Sequence, residues 1–443
     1  MTSPRYDRSP RWNRGSARIR LMSMVAIVAV AIAVAAPASA APGALDPSFS
    51  GDGVTVTRFT NSYGVATDVA IQSDGKIVVV GSMHRNDSLD SDFAIVRYTR
   101  DGRLDGTFSG NGKLRTDFDG RFDGALALAV GAAGSLVVVG QSNDHLAVAK
   151  YLADGSLDDS FSGDGRARFA DDGFFAGNDV VLQPDGRVVV VGTNGSELMI
   201  MRLRANGAPD DTFGGDGLVT TDVGVSYDAA HAVVVTGSGK IVVGGEANID
   251  PARSSDFVVA RFRSDGSLDR SFSGDGLVTA DFASYEDSVN DLVLVGGGGV
   301  IAVGQASEFP GGADQSSDVG LARFGKDGTP VSTFGTDGKA LIDFGSYFDN
   351  SHGAAMLDDG SLAVASHLEA GGATVAVARL DAATGALDPT FGVGGIADTG
   401  AAVSGDDVGG LAVDERGRVV IATAAAFELP SIDFGFLVAR LLT

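Results

Sequence analysis

This chain of 443 residues contains no cysteine, and its single tryptophan is Trp12, close to the N-terminus. Without a thiol there is no disulfide framework, no cysteine nucleophile and no lipid-modified cysteine. Positive charge is scarce as well: 33 Lys and Arg stand against 57 Asp and Glu, a formal net charge of −24. Such a field repels nucleic acid and anionic lipid headgroups and makes divalent cations natural counterions. Apart from Leu21–Ala36 there is no long apolar run, and no G-x-S-x-G elbow, H-E-x-x-H pair or Walker loop occurs. The chemistries those motifs serve have no foothold here.

The first 40 residues read as an export signal. Arg5, Arg8, Arg11, Arg14, Arg18 and Arg20 make a basic segment, Leu21–Ala36 an apolar run of 16 residues, and Ala38-Ser39-Ala40 a small-residue cleavage pattern. The run falls short of the roughly 20 residues a membrane-spanning helix needs. No two arginines are adjacent, which argues against a twin-arginine route. Cleavage after Ala40 would remove six arginines and one aspartate, leaving a net charge of −29 on 403 residues without tryptophan. The expected product is a secreted, soluble domain, residues 41–443, with no membrane span and no affinity for nucleic acid.

What fills that domain is a repeat. The phrase LDPSFSGDG at Leu45–Gly53 returns as LDGTFSGNG, LDDSFSGDG, PDDTFGGDG, LDRSFSGDG, PVSTFGTDG and LDPTFGVGG. The phenylalanines Phe49, Phe108, Phe161, Phe213, Phe272, Phe334 and Phe391 set six intervals over 342 residues, a mean of 57. Within the first period, Val54–Phe59 alternates as a strand and Ala66–Gln72 reads as a second. Asp74-Gly75 is a hairpin signal, and Lys76–Gly81 is apolar enough for burial on both faces. A ten-residue polar loop then leads to Asp92–Tyr98. Four strands per unit, with turn signals between them, describe a propeller blade. A β-solenoid fits less well, because its coils are shorter and lack hairpins.

The strings DVAIQSDGKIVVVG and DFAIVRYTRDGRLDGTF at a period near 57 resemble the delta-60 repeat family of secreted and surface bacterial proteins. The resemblance runs from Leu45 to the C-terminus. It implies a β-propeller-like fold and brings no catalytic residue with it. The sixth copy departs, with Val331 where the others carry aspartate, and the seventh has Glu415-Arg416-Gly417 at its hairpin. The expectation is all-β: a seven-bladed β-propeller of four-stranded antiparallel blades. Val54–Phe59 would pair with Phe434–Leu441 and close the ring from both ends of the chain, which removes an exposed sheet edge.

A residue present in every unit serves the unit first, whereas a site belongs where the copies differ. Asp46, Asp105, Asp158, Asp210, Asp269 and Asp388 therefore read as turn aspartates that accept backbone N–H groups. The basic residues ending the third strands, Arg97, Lys150, Arg202, Arg261, Arg323, Arg379 and Arg440, read as their neighbours' ion-pair partners. The SGDG phrases resemble calcium loops without the full ligand pattern, so Ca2+ is the one cofactor the sequence suggests. Variation gathers in two classes of loop, those between the second and third strands, from Gln141–Asp144 to Gln305–Ser317, and those entering each first strand. In the latter, Tyr63, Phe122, Phe174, Tyr227, Tyr285 and Tyr347 stand near Asp123, Asp228, Glu286 and Asp349.

A second uneven set, Asp68, Asp179, Asp291, His231 and His352, lies near the start of that strand and would converge on a central channel. Tyr63, Tyr227, Tyr285, Tyr347, Asp68, Asp179, His231, Asp291 and His352 are thus the candidate ligand-binding residues. An extracellular glycan or protein is the expected ligand class. A polysaccharide lyase or hydrolase using the channel acids and histidines is the rival reading, and a purely structural repeat protein is the third. Propellers host all three.

Overall fold

The computed structural model describes residues 40–60, 62–85, 90–118, 121–169, 176–194, 196–249, 255–282, 286–308, 316–368, 374–425 and 435–443; of residues 352 and 404–408 it describes the backbone alone. Among them no helix is long and apolar enough to cross a membrane. The fold is an all-β propeller whose repeating element is a four-stranded antiparallel sheet.

The first sheet runs Ser62–Ile71, Ile77–Arg85, Ser91–Tyr98 and Lys113–Thr116, each strand paired with the next. Four more sheets repeat this meander, with inner strands at Asp123–Val130, Ala176–Leu182, Asp228–Val235 and Asp287–Val295. The second strand of the first sheet runs on to Arg85, so part of the segment expected to be loop is sheet; Ser82 to His84 pair with Ser91 to Phe93. Alternating side chains still satisfy both faces there, so pairing extends as far as the backbone can donate.

The remaining seven strands form one sheet, in the order Val54–Thr57, Gly435–Leu441, Val419–Ala425, Ile396–Val413, Thr374–Asp381, Ser361–Leu368 and Ser351–Met356. It is two four-stranded halves joined by one strand. The early part of Ile396–Val413 pairs with Thr374–Asp381 up to Ala402, and the later part pairs with Val419–Ala425 from Val403 onward. Val54–Thr57 adds to the far edge, with Val54 opposite Ala439 and Thr57 opposite Phe436. The N-terminal strand is therefore hydrogen-bonded to the C-terminal one; Phe434 lies outside the described residues.

The core is not one mass but a series of layers between neighbouring sheets. Val78 and Val80 pack with Ala125, Leu128 and Val138 of the next sheet. Ile77 and Val79 point the other way, onto Val420, Ala422, Phe436 and Val438. Period-two alternation thus gives each central strand two neighbours, which is why these strands are apolar at successive positions such as Ile77–Val80.

A joint recurs where each third strand meets the LDxxF phrase. Arg97 Nε donates to Asp105 Oδ2 at 2.8 Å, Arg202 to Asp210 at 2.8 Å and Arg261 to Asp269 at 2.7 Å. Each guanidinium lies 4.6 Å from the centre of a buried ring, Phe108, Phe213 or Phe272. Each also donates through Nη1 to a carbonyl of the following unit: Ala153, Ser264 and Lys326 respectively. Arg440 does the same with Asp46, Phe49 and the carbonyl of Arg100. The ion pair expected from the sequence therefore holds an aspartate of its own repeat, while the guanidinium ties on the neighbour.

Candidate functional site

The inner strands carry a bulge at matching positions, between Ala66 and Asp68, Ala125 and Ala127, Gly177 and Asp179, Ala230 and Ala232, Val289 and Asp291, and Ser351 and Gly353. The residue after the bulge alternates along the chain: Asp68, Ala127, Asp179, Ala232, Asp291, Gly353. The hydrogen bonds explain the alternation. Asp68 Oδ1 accepts the N–H of Val69 and Oδ2 that of Leu128 in the next inner strand, at 2.7 and 2.8 Å. Asp179 does this with Val180 and Val233, and Asp291 with Leu292 and Ala354, all at 2.7 Å. Each carboxylate spans two strands, and the small residue opposite leaves it room. In the last inner strand Gly409 and Gly410 take this place; a Cβ on Gly410 would stand 2.9 Å from Asp68 Oδ1.

Burial raises the Asp68 carboxyl to about 7, with the N–H groups of Leu128 and Val69 opposing and the charge of Asp291 adding to the rise. Burial pushes Asp291 to about 6. Asp179 is pushed well above the ordinary range, first by burial and further by the charges of Asp68 and Asp291. The structure thus brings these three acids into electrostatic contact, as converging inner strands require, and gives each one a bracing task.

The bulged residues beside them vary. Asn178 Nδ2 donates to the carbonyl of Ala230 at 2.8 Å, and Asn290 Nδ2 to that of Ser351 at 2.9 Å. His231 places Nε2 3.3 Å from Glu246 Oε1, while Glu246 Oε2 accepts from Ser255 at 2.8 Å. Burial raises the Glu246 carboxyl, but the hydrogen bond and charge of His231 prevail and set it below its ordinary value. The backbone of His352 belongs to the strand Ser351–Met356; its side chain lies outside the described residues.

The loops entering the inner strands share one construction. Asp123 Oδ2 accepts the N–H of Phe118, Asp228 that of Val223, Asp287 that of Phe282 and Asp349 that of Phe344, at 2.7 to 2.8 Å. These aspartates are fully or almost fully buried. Each closes its loop five residues back, so the residues just before it are held at the surface. Phe122, Tyr227, Tyr347 and Phe348 are all exposed there, between 39% and 47%. Tyr347 meets Phe348 edge to face at 4.8 Å, and Tyr63 is half-buried and stacked on His84 at 4.7 Å. Tyr285 and Phe174 lie outside the described residues.

The SGDG phrases do other work. Asp52, Asp164, Asp216 and Asp275 each accept the N–H two residues on, at 2.9 to 3.0 Å, and so start the outer strand. The carboxylate clusters found among the described residues lie elsewhere: Asp92, Asp117 and Asp123; Asp256, Asp281 and Asp287; Asp318, Asp343 and Asp349. The sequence reading missed them. Their signal is the pair Asp117–Asp123, repeated as Asp281–Asp287 and Asp343–Asp349 at a spacing of six, each with an aspartate from a preceding strand. A groove of about 770 Å³ lies beside the first of these clusters, lined by Thr107, Ser109, Arg115, Asp117, Asp154 and Arg166.

Residues 72–108, 134–161, 183–213 and 236–272 match the sequence model of a family described as a domain of unknown function (DUF5122) beta-propeller. No curated protein sequence matches the chain. Among solved structures, the polysaccharide lyase Uly1 is similar at a TM-score of 0.50 and 12% identity, over 85% of this chain and 90% of that one. Streptogramin B lyase is similar at 0.49 and 12% identity, over 87% and 96%. A xyloglucanase from Xanthomonas campestris is similar at 0.44 and 13% identity, over 86% of this chain and 55% of that one.

Proposed function

We propose that this chain is an exported, seven-bladed propeller that binds an extracellular glycan on the face carrying the aspartate-closed loops. The observation that carries the reading is the display itself: buried Asp123, Asp228 and Asp349 fix loops whose neighbouring Phe122, Tyr227, Tyr347 and Phe348 stand in solvent. Burying such rings in the core would have been cheaper; exposed on stiff loops they offer flat apolar faces for sugar rings. The acidic surface favours a neutral or cationic glycan over an anionic one.

Seven blades follow from counting the fused sheet as two, divided between Ala402 and Val403. Ring closure is supported by the pairing of Val54–Thr57 and by Arg440 reaching Arg100 as the other arginines reach their neighbours. Export rests on the basic, apolar and small-residue order of residues 1–40, with release expected at Ala41.

Tyr227→Ala and Tyr347→Ala should weaken binding to a neutral polysaccharide by about 1 kcal/mol or more each, as aromatic anchors do. Their thermal melts should stay at the parent value. Calorimetry and melts on the same variants check this; lower melts with unchanged affinity would make the rings packing elements and end the reading.

One observation favours a second reading, a polysaccharide lyase or hydrolase. His231 and Glu246 form a partly accessible acid–imidazole pair beside the converging aspartates. Loss of turnover with retained affinity in Glu246→Gln would favour it.

A further inference from the structure

The fourth sheet, whose inner strand is Asp228–Val235, gathers exposed apolar side chains, a carboxylate and an imidazole at one place. Two of its loops are joined there: the N–H of Val225 donates to the carbonyl of Asn248 at 2.7 Å, and the N–H of Asn248 to that of Tyr227 at 3.0 Å. Val225, Tyr227 and Ile249 are all exposed. Ala229 pairs with Glu246, and Tyr227 comes two residues before Ala229, which puts Tyr227 and Glu246 diagonally on one face of the sheet. Burial and then the charge of Glu246 hold the Tyr227 hydroxyl above its ordinary value, so the carboxylate is in electrostatic reach of the phenol. The register-equivalent residues of Glu246 in the first, second, third and fifth sheets are Ser82, Gln141, Thr193 and Gln305, none of them an acid.

Hydrogen bonds fix the surroundings of this carboxylate. Asn178 Nδ2 carries two hydrogens; one goes to the carbonyl of Ala230 at 2.8 Å and the other faces His231 Nδ1 at 3.4 Å. Nδ1 is therefore the acceptor nitrogen, and the ring proton sits on Nε2, 3.3 Å from Glu246 Oε1. Oε2 accepts from Ser255 Oγ at 2.8 Å. While the ring holds this one proton both donors are neutral, and among the described residues no lysine or arginine pairs with Glu246. A partly buried, ionised carboxylate with neutral partners is a charge left open to a cation.

We propose that Tyr227, His231 and Glu246 form a subsite for a glycan of protonated amino sugars, with an ammonium paired with Glu246 and a sugar ring laid against Tyr227. The proposal rests on the glycan reading and narrows it to one ligand class at one unit. An ammonium neutralises the open charge, which the hydroxyls of a neutral sugar do not, and its hydrogen bonds to a carboxylate are the stronger kind. The electron-rich face of Tyr227 attracts the same cation. The formal net charge of −24 raises the concentration of a cationic ligand around the whole molecule. His231 and Ser255 hold the two carboxylate oxygens in place, so Glu246 meets the ligand already oriented.

The test is calorimetric titration with an oligomer of glucosamine and with its N-acetylated counterpart, in about 150 mM salt so that the field of the whole molecule is screened. The amine oligomer should bind at least about tenfold tighter than the acetylated one, as a charge-assisted contact predicts. Glu246→Gln should remove this preference, whereas Asp159→Asn, which takes the same charge from an exposed position elsewhere, should keep it. Tyr227→Lys leaves the carboxylate in place and supplies a competing ammonium from an exposed position, so it too should remove the preference, and the test stands where Glu246→Gln fails to fold. Equal affinity for the two oligomers, or a preference that survives in Glu246→Gln or in Tyr227→Lys, would overturn the proposal and leave the glycan reading intact. A preference lost equally in Asp159→Asn would overturn it as attraction by net charge. No binding of either oligomer or of a neutral polysaccharide would end the glycan reading and this proposal together.

Discussion

Arg97, Arg202, Arg261 and Arg440 each meet a buried carboxylate, a ring and a carbonyl of the next unit, and the sixth repeat shows what happens when one partner is missing. Arg323 reaches the carbonyl of Ala382 at 2.8 Å like its counterparts, but Val331 stands where the aspartate should be, and Arg323 Nε is buried without a partner. An unsatisfied buried donor costs about 1–3 kcal/mol. Val331→Asp should therefore stabilise the protein by roughly 1 kcal/mol or more, since Thr333 is in place to donate as Thr107 does to Asp105. Urea unfolding of the single variant checks this, and an unchanged midpoint would mean the site excludes the carboxylate. The reverse change, Asp105→Ala, reads from sequence as the loss of one turn hydrogen bond. In the structure it strands Arg97, so about 3 kcal/mol is the better expectation.

Among elements, the strand Val54–Thr57 has a task out of proportion to its four residues. It covers the edge of Gly435–Leu441, and the phrase before it supplies Asp46 to both Arg440 and Arg418. Phe49 packs with Val96, Tyr98 and Val438. Deleting Leu45–Thr60 should uncover a hydrogen-bonding edge, leave buried Arg440 without its carboxylate and yield aggregates on size-exclusion chromatography. Trimming Ala41 alone should leave a monomer with the parent melt, and a stable monomer after the larger deletion would refute closure through this strand.

At the scale of the whole molecule, two sets of carboxylates pull stability in opposite directions with pH. Burial works against Asp210, but Thr212 and the Arg202 and Arg187 guanidiniums hold it at about 2, so its contribution is present above pH 4 and lost as pH falls towards 2. Asp68 and Asp291 are raised to about 7 and about 6, so the native state keeps protons the unfolded chain has released. Their contribution is full below about pH 4 and lost as pH climbs through 6 and 7. The melting temperature should be highest near pH 4–5 and lower at pH 8. Asp68→Asn should lower the melt at pH 5, because one N–H loses its acceptor, and should shrink the difference between pH 5 and pH 8. An undiminished difference would place the pH dependence elsewhere.

The all-β class, the period of 57, the hairpins and the doubly buried central strands were all legible in the amino-acid order, because each rests on local alternation and on turn residues such as Asp74-Gly75. The pairing of the first strand with the last was legible too, since a repeat that begins with its final strand has one uncovered edge at each end. The exposed loop aromatics could be placed as a class, though not told apart from Tyr63 on its histidine. What only the tertiary structure decided lies between units. Asp68, Asp179 and Asp291 differ from their neighbours because a carboxylate in one inner strand needs an Ala or Gly in the next, a relation across more than 50 residues. The acidic clusters draw on three elements of two units, so the six-residue spacing marks two of the three carboxylates and cannot supply the third. Single repeats specify a sheet, but the side chains that face a neighbouring sheet acquire their partners only when the sheets pack side by side.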